Sequence, residues 1–483
     1  MIMKYLLYPV LFSCLLLGSC GKGFFDQYPG DVLSNANFYT QSGDFEQGLN
    51  AAYANLRNNY RWWYVFGDMT SDDVYNWKRN NSSTIIQFNE SNISSDNSLL
   101  NDLWNSSYAT IARCNIVAGR IGNITMDETL KQRYTGEAKF LRALIYFNLV
   151  RVFGDVPLVL TEVTAAQQSF GFAREASDKV YAQIVQDLKD AAATLPDVYT
   201  KNNDIGRATS IAAKSLLGKV YLTRKQYPEA AAILQEVIGS GIPALLPTYT
   251  DVFSPDNPNN KEIIFAVQYG RGFDPQQGSP FGNDVAPNEP VNKIVVAAGN
   301  GQGTFLVTDD LAQAFTTADT RKQAIDSATG TRKYYFTNKY FDPAITKAND
   351  AANDWIVLRY ADVLLMAAEA YNEQGQVTPA LTYMNEVRHR AALTASATTD
   401  KGTLRTEIAQ ERRLELNCEG HRWFDLVRTG QAKTVMNAFF EKYKADDDQA
   451  GKSSTIQDNE LIFPIPGFQV NLNPEKIKQN PGY

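Results

Sequence analysis

The sequence predicts a mainly α-helical protein in which a helical scaffold carries a loop-rich insertion with short strands. Three observations indicate this class. Apolar residues recur every three and four positions near both ends of the chain, as on the buried face of a helix. One helix-pair template occurs twice, 150 residues apart. The region between, 241–354, holds nine of the 19 Pro and nine of the 31 Gly, which are typical of loops.

Two helices are clearly marked in the first half of the chain. The first is predicted over 137–153, since its apolar residues follow helical spacing and Gly154 and Pro157 provide stop signals. Ser177 is expected to cap the second helix, whose apolar stripe runs to Leu195 and ends at Pro196.

The repeated template has the spacing of a tetratricopeptide helix pair. Leu217-Gly218-x-x-Tyr221 is followed by Ala230 and Val237, and Ala367-Ala368-x-x-Tyr371 is followed at the same offsets by Ala380 and Val387. Small residues suit the points where paired helices touch, and the aromatic fills the gap. Two matches favour true repeats over two unrelated Ala-rich hairpins.

The distance between the repeats indicates that they are not consecutive units of a simple solenoid. Residues 241–354 are predicted to form a loop-rich subdomain, with strands at 262–269 and 333–340. Binding residues often lie on such loops when a rigid frame holds them.

Residues 1–19 have the pattern of a secretory signal peptide. A single cation precedes an apolar run that is too short to span a bilayer. Leu17-Gly18-Ser19-Cys20 resembles the bacterial lipobox. In a lipobox, cleavage before the cysteine leaves it as the N-terminal residue, which then carries lipid such as palmitate. The alternative is an ordinary signal peptide that happens to contain a cysteine. Of the remaining cysteines, Cys114 and Cys418 are expected to be buried thiols, although a disulfide between them stays open.

Composition excludes several functions. The chain of 483 residues has 46 Lys plus Arg against 53 Asp plus Glu, a net charge of -7, and no basic run that would bind nucleic acid. With only His389 and His421, a multi-histidine metal site or a Ser-His-Asp triad is disfavoured. Carboxylate chemistry of the glycosidase kind remains possible on these counts.

The densest unusual patch is Tyr60 to Trp77, which contains three of the six Trp together with several Asp and Asn. Aromatic planes beside planar polar groups suit a sugar, whose C–H face stacks on the ring. Core packing is favoured for Trp62, Trp63 and Phe66. The polar surroundings of Tyr75 and Trp77 favour exposure of these two rings. The predicted ligand-binding residues of this patch are Tyr75, Trp77, Asn76, Asp73 and Arg79.

The insertion contributes a second set of candidate aromatic residues. Tyr269, Phe273, Phe281 and Phe305 lie among Gly, Pro and Asn. Tyr269 and Phe281 are included among the predicted ligand-binding residues. Packing in the small core of the insertion is an equally good interpretation of this set.

A charged stretch near the C-terminus could be mistaken for a catalytic cluster. Glu411-Arg412-Arg413-x-Glu415 precedes Glu419-Gly420-His421-Arg422 and Asp425 to Arg428. Because Glu and Arg three and four apart neutralise each other on a helix, an ion-paired helix hairpin is predicted instead. Asp72 and Asp73 are adjacent in sequence and are expected to point apart, which makes them a poor acid/base pair.

These motifs also match a known family in order. Phe153-Gly154-Asp155-Val156-Pro157, Leu358-Arg359-Tyr360-Ala361-Asp362, the charged stretch 411–428 and the ending Phe463-Pro464-Ile465-Pro466 to Gln479-Asn480-Pro481-Gly482-Tyr483 are similar to its conserved blocks. The chain resembles the SusD/RagB family of Bacteroidetes surface lipoproteins over nearly its whole length.

The resemblance implies a function and a partner. Such proteins are lids on a SusC-like TonB-dependent outer-membrane transporter and capture oligosaccharides for import. In starch-binding relatives, an aromatic after a Ser/Thr-Asp-Asp/Glu stretch belongs to the sugar platform, and here Ser71-Asp72-Asp73-Val74-Tyr75-Asn76-Trp77 takes that place. The implied location is the outer membrane, lipid-anchored and facing the exterior, without a catalytic role for the charged stretch.

The sequence therefore predicts a non-enzymatic, glycan-binding lipoprotein that needs no metal or cofactor. A peptide-binding subunit of the same architecture is the main alternative, and a glycoside hydrolase or a purely structural repeat protein is less favoured. The predicted organisation is a signal peptide at 1–19 and one SusD-like unit at 20–483, divided into an N-terminal helical part (20–240), the insertion (241–354) and a C-terminal part (355–483).

Overall fold

The computed structural model describes residues 38–77, 83–288, 295–296, 300–329, 333–446, 449 and 455–483. The predicted signal peptide, Cys20 and Arg79 lie outside these residues. Within the described part, none of the helices combines the length and the apolar character needed to cross a bilayer.

Helices dominate the fold, as predicted. In chain order they are α1 (Ser42–Tyr60), α2 (Ser83–Asn89), α3 (Ser98–Arg120), α4 (Glu128–Phe153), α5 (Ala166–Ser169), α6 (Ser177–Thr194), α7 (Ser210–Thr223), α8 (Tyr227–Gly239), α9 (Phe281–Val285), α10 (Asp309–Ala314), α11 (Tyr360–Glu373), α12 (Val377–Arg390), α13 (Lys401–Glu415), α14 (Arg422–Thr429), α15 (Ala432–Tyr443) and α16 (Gly467–Leu472). A short π-helical turn, Val65–Met69, follows α1.

The strands are short and form three small antiparallel sheets. They are β1 (Val74–Tyr75), β2 (Val156–Pro157), β3 (Arg174–Glu175), β4 (Ile263–Val267), β5 (Leu306–Val307), β6 (Ile325–Thr329), β7 (Lys333–Thr337) and β8 (Trp355–Arg359). The sheets have the orders β1-β5-β7-β6, β2-β3 and β4-β8. The predicted strands at 262–269 and 333–340 are therefore confirmed as β4 and β7.

The two marked helices of the first half are present, with shifted starts. α4 extends further toward the N-terminus than predicted, because Asp127 caps it by accepting a hydrogen bond from the Leu130 N–H. It ends at Gly154, whose φ of 69° breaks the helix. The capping prediction for Ser177 is wrong: Ser177 is the first residue of α6, and its N–H donates to the Asp155 carboxylate at 2.8 Å.

Both predicted helix pairs form, as α7–α8 and α11–α12. Each pair turns through three residues, with a left-handed residue at the same place: Lys225 (φ 57°) and Gly375 (φ 75°). Each turn is closed by a matching hydrogen bond, from the Gln226 N–H to Tyr221 O and from the Gln376 N–H to Tyr371 O. The same sequence spacing thus produces the same turn twice.

The repeats are neighbours in space, although a long segment is inserted between them in the sequence, as expected. α8 packs directly on α11, and Gln374 Nε2 donates to Tyr227 O across the contact at 3.2 Å. The array continues through α3, α4, α6 and α7 on one side and α12 and α13 on the other. Residues 240–359 leave this array between two adjacent repeats and return to it.

A buried ionic network joins the insertion to the array. The Arg359 guanidinium at the end of β8 contacts the carboxylates of Glu262, Glu415 and Glu419 at 3.0, 2.5 and 2.7 Å. Arg321 of the insertion contacts Glu411 at 2.6 Å, and its side chain is fully buried. Each charge in the network has a partner, as burial requires.

The charged stretch 411–428 is ion-paired, but mostly with distant residues. Within the stretch, Arg412 bridges α13 and α14 by contacting Asp425 at 3.1 Å, and Arg428 contacts Asp425 at 2.8 Å. Its other contacts reach across the molecule, so the prediction of neutralisation at three- and four-residue spacing holds only for the last pair. Cys114 and Cys418 are buried free thiols, as expected.

Candidate ligand-binding site

The segment 72–77 is held by backbone hydrogen bonds to the insertion. β1 pairs with β5 in the register Val74↔Val307 and Tyr75↔Leu306. The Trp77 N–H then donates to Gly303 O at 3.0 Å, and the Asn76 N–H donates to Asn89 Oδ1 at 3.1 Å. The insertion therefore covers the segment rather than leaving it open.

The expected exposure of Tyr75 and Trp77 is wrong. Their exposed fractions are 1% and 4%, and the Trp77 ring packs on Tyr334 with centroids 5.1 Å apart. A Cβ on Gly303 would lie 3.2 Å from Trp77 Cε3, so the backbone of the insertion lies close against the ring. Polar neighbours in sequence suggested a surface, but strands β5 and β7 bury both rings.

The polar residues of the segment are buried as well. Asn76 is 1% exposed, and neither polar atom of its side chain has a hydrogen-bond partner among the described residues. Asp73 Oδ1 is bound by Arg413 Nε at 2.6 Å, so this oxygen is not available to a ligand. Arg79, the remaining candidate of this segment, lies outside the described residues.

Asp72 and Asp73 converge instead of pointing apart. Arg413 contacts Asp72 Oδ2 at 2.9 Å and Asp73 Oδ1 at 2.6 Å. Arg422 adds a second contact to Asp72 at 2.8 Å. Although burial would raise it, these two guanidinium groups keep the pKa of Asp72 below its usual value. Asp72 and Asp73 thus anchor the segment 72–77 to α13 and α14 through Arg413 and Arg422.

The insertion aromatics separate into buried and accessible rings. Phe281 and Phe305 are each 1% exposed. The ring centroid of Phe281 lies 4.8 Å from that of Trp355, and Phe305 stacks on Tyr64 with the ring centroids 4.8 Å apart. The alternative interpretation, packing in the core, is therefore correct for these two. Tyr269 is half-buried and rests edge-on against Phe281 at 5.6 Å, while Phe273 is 56% exposed.

Two half-buried aromatic residues, Trp62 and Tyr269, lie near one ion pair. Arg61 holds Asp284 through two hydrogen bonds of 2.6 and 3.3 Å, and its guanidinium lies 3.8 Å above the ring of half-buried Trp62. Tyr269 lies close enough to Arg61 for its pKa to respond to that charge, although burial raises this pKa overall. We call Arg61, Trp62, Asp284, Tyr269 and Phe273 the rim.

The rim offers both interactions that a sugar needs. The half-buried and exposed rings present apolar faces for stacking, and the partly exposed Arg61 guanidinium, which buried Asp284 holds in place, brings planar donors beside them. Burial raises the pKa of Asp284, an effect that Arg61 opposes. Phe281, in contact with both Tyr269 and Tyr340, forms the apolar layer behind the rim.

Sequence reasoning found only part of the rim. Tyr269 was selected, but Trp62 was assigned to the core and Arg61 and Asp284 were missed. Arg61 and Asp284 are 223 positions apart, so no local pattern indicates their contact. The adjacent Arg61-Trp62 pair just after α1 was the available signal. Among the described residues, no group of three or more His, Cys, Asp or Glu side chains is placed to hold a metal ion.

Two family models match the chain. The model described as "SusD family" matches residues 322–483, and the one described as "Starch-binding associating with outer membrane" matches residues 31–222. Together they take in well over half of the sequence. The chain is a member of the SusD/RagB family.

Relatives of this SusD/RagB protein match it over most of their length. A SusD-like protein of Formosa agariphila is 28% identical, covering 98% of each chain. The starch-binding protein SusD of Bacteroides thetaiotaomicron is 25% identical over 77% of this chain and 76% of its own.

A solved structure, that of a laminarin-binding SusD-like protein, superposes with a TM-score of 0.80. The two chains are 29% identical, and the superposition covers 92% of this chain and 100% of the other. The family is thus one of starch- and glycan-binding proteins, and its description includes association with the outer membrane.

Proposed function

We propose that this protein captures oligosaccharides at the rim and passes them to a SusC-like TonB-dependent transporter. The observation that supports the site is the exposed Phe273 and half-buried Tyr269 and Trp62 around the Arg61–Asp284 pair. The relatives that bind starch and laminarin support the ligand class. The protein binds and delivers its ligand without cleaving it.

The proposal assigns different tasks to the residues predicted from sequence. Tyr269 touches the sugar, Phe281 supports Tyr269 from behind, and Asp73 fixes segment 72–77 through Arg413. Tyr75, Trp77 and Asn76 shape the adjoining wall, and Arg79 is kept in the proposal as a further ligand-binding residue. Cys20 anchors the chain to the outer membrane through lipid, after removal of 1–19, with the body facing the cell exterior.

Affinity electrophoresis against a polysaccharide panel that includes laminarin and starch tests the site. The wild type should be retarded by one glycan, and Phe273→Ala and Tyr269→Ala should each weaken its binding about ten-fold, which is about 1.4 kcal/mol. Each ring removed is a stacking surface, so both changes should act mainly on affinity. Calorimetry with the retained glycan gives the dissociation constants.

Phe468→Ala is the matched control, because Phe468 is 62% exposed and belongs to α16, outside the rim. It should bind like the wild type. Trp77→Phe should also keep binding within about two-fold, since the Trp77 ring is buried and a Phe preserves most of its packing. Full binding by Phe273→Ala and Tyr269→Ala together would disprove the rim as the site.

The same experiment separates the alternatives. If the glycan panel gives no binding and peptides co-purify with the wild type, the protein is a peptide-binding subunit. Release of reducing sugar from a bound glycan would contradict the non-enzymatic role. Co-purification of an outer-membrane TonB-dependent transporter with the full-length lipoprotein tests delivery, and its absence would contradict that step.

A further inference from the structure

A small cavity lies where α1, α4, α7 and β8 meet the turn before α14. Its volume is about 20 Å³, room for one water-sized particle. The polar side chains that line it include Tyr60, Asn148, Arg151, Lys219 and His421. The rim and the proposed glycan function do not involve any of these residues.

Arg151, which is only partly buried, is a cation without a carboxylate partner among the described residues. Its guanidinium is packed between the rings of Phe147 and Phe424, with its central carbon 4.0 and 4.4 Å from their centroids. Nε donates to Phe147 O at 3.1 Å and Nη2 donates to Asn148 Oδ1 at 2.7 Å. In the described part of the chain, no carboxylate oxygen lies within 4.0 Å of it.

Several donors that line the cavity lack acceptors among the described residues. Arg151 has five N–H groups and uses two. The Tyr60 hydroxyl accepts from Asn148 Nδ2 at 2.9 Å, but its own hydrogen has no protein acceptor. Lys219 Nζ contacts Asp362 at 2.9 Å and His421 Nδ1 at 3.0 Å, which leaves one N–H. Arg151, Tyr60 and Lys219 therefore carry N–H and O–H groups that no described acceptor uses.

The ion pairs close to the cavity also leave Arg151 without a paired carboxylate among the described residues. Lys219, Arg412 and Arg428 form a continuous set of ion pairs with three carboxylates, those of Asp362, Asp425 and Glu369. Arg151 is an additional cation beside this balanced set. Burial, with the charge of Lys219 in support, lowers the pKa of His421 to about 3, so His421 is neutral at physiological pH.

Burial lowers the pKa of Arg151 to about 10, and Tyr60, Tyr181 and the carboxylates of Asp425 and Asp362 oppose this only in part. A charged group in such a position is stabilised by a nearby opposite charge. Glu419, which also lines the cavity, is already bound by Arg359 and Lys339 and does not supply it.

We propose that this cavity binds one small monovalent anion of halide size against Arg151. Such an ion accepts hydrogen bonds from several directions and brings no hydrogen of its own, which suits a space lined by unused donors. The ion neutralises the surplus cation and joins α4 to α7 and to the end of α1. It is a structural ion, separate from the glycan.

Bromide tests the proposal, because it resembles chloride and scatters anomalously. Crystals of the wild type grown in about 0.1 M sodium bromide should show an anomalous peak in the cavity. In solution, the unfolding temperature of the wild type should be about 1–2 °C higher in bromide or chloride than in gluconate at equal ionic strength. Arg151→Met should lose this difference.

Arg405→Met is the matched control, since Arg405 pairs with Glu373 on the surface and its side chain is 54% exposed. It should keep the full halide effect. An empty or water-filled cavity without an anomalous peak would overturn the proposal, as would a peak that appears only at molar bromide. If Arg151→Met does not fold, the wild-type crystal and the halide-against-gluconate comparison still decide.

Discussion

At the scale of single residues, Asp68 shows how burial changes the protonation of a carboxyl group. It lies in the π-helical turn after α1 and is fully buried. Its Oδ2 accepts the Gly420 N–H at 2.7 Å, while Oδ1 has no partner among the described residues. Burial, reinforced by the charge of Asp73, raises the pKa of Asp68 to about 8. A protonated carboxyl group fits this position.

We therefore predict that Asp68 destabilises the fold increasingly as the pH rises from about 4 to 8. In this window the folded group keeps a proton that the unfolded group has lost, so the free energy of unfolding falls with pH. Asp68→Asn removes this dependence. Its free energy of unfolding should rise relative to that of the wild type by about 1 kcal/mol for each pH unit across this window. Urea unfolding at pH 4.5, 6 and 7.5 measures it.

Asp458→Asn is the control for this experiment, because the Asp458 side chain is 85% exposed and forms a surface ion pair with Lys433 at 2.8 Å. Its stability should follow that of the wild type at every pH. A constant difference between Asp68→Asn and the wild type would show that Asp68 is ionised throughout.

At the scale of elements, the helix pairs could be predicted because their information is local. The spacing from Gly218 to Tyr221, Ala230 and Val237 determines one pair, and its copy 150 positions later determines the other. The Ser177 cap could not be predicted reliably, since the carboxylate that binds the first N–H of α6 is Asp155, 22 positions away.

Gly218 should be essential to the contact between α7 and α8. A Cβ at this position would lie 2.5 Å from Leu234 Cδ2, so Leu234 would have to move. We expect Gly218→Ala to lower the free energy of unfolding by about 1–2 kcal/mol through overpacking. Chemical denaturation gives the difference from the wild type.

Gly119→Ala provides the opposite case on another helix. It lies in α3, and a Cβ there would meet no atom within 4 Å. Alanine should stabilise this helix by about 0.5–1 kcal/mol, because it loses less backbone freedom on folding than glycine. If both substitutions have the same sign, the close contact at Gly218 is not what determines its effect.

At the scale of the whole molecule, long-range ionic contacts connect parts that the sequence separates. Arg359 and Glu262 are 97 positions apart, and Arg413 and Asp73 are 340 apart. The sequence shows that Glu and Arg are abundant at 411–428, but not which residues they pair with. The same limit applies to the contact between Arg61 and Asp284, which are 223 positions apart.

Arg359→Met should be strongly destabilising. It would leave Glu262, Glu415 and Glu419 buried with fewer cations, at a cost of about 3–5 kcal/mol. Arg405→Met, which breaks a largely exposed pair, should cost about 0–1 kcal/mol. Guanidinium unfolding of both variants provides the comparison. Equal costs would mean that the buried network adds nothing beyond a surface ion pair.

The insertion leaves the helical array after α8 and rejoins it at α11, two helices that pack directly on each other. Its two ends are therefore fixed close together by contacts that do not depend on what lies between them. Loop-closure entropy changes only slowly with loop length, so residues can be gained or lost in this region at little cost to the array. Related proteins could thus acquire new ligand preferences by changing this region while the order of the helices stays the same.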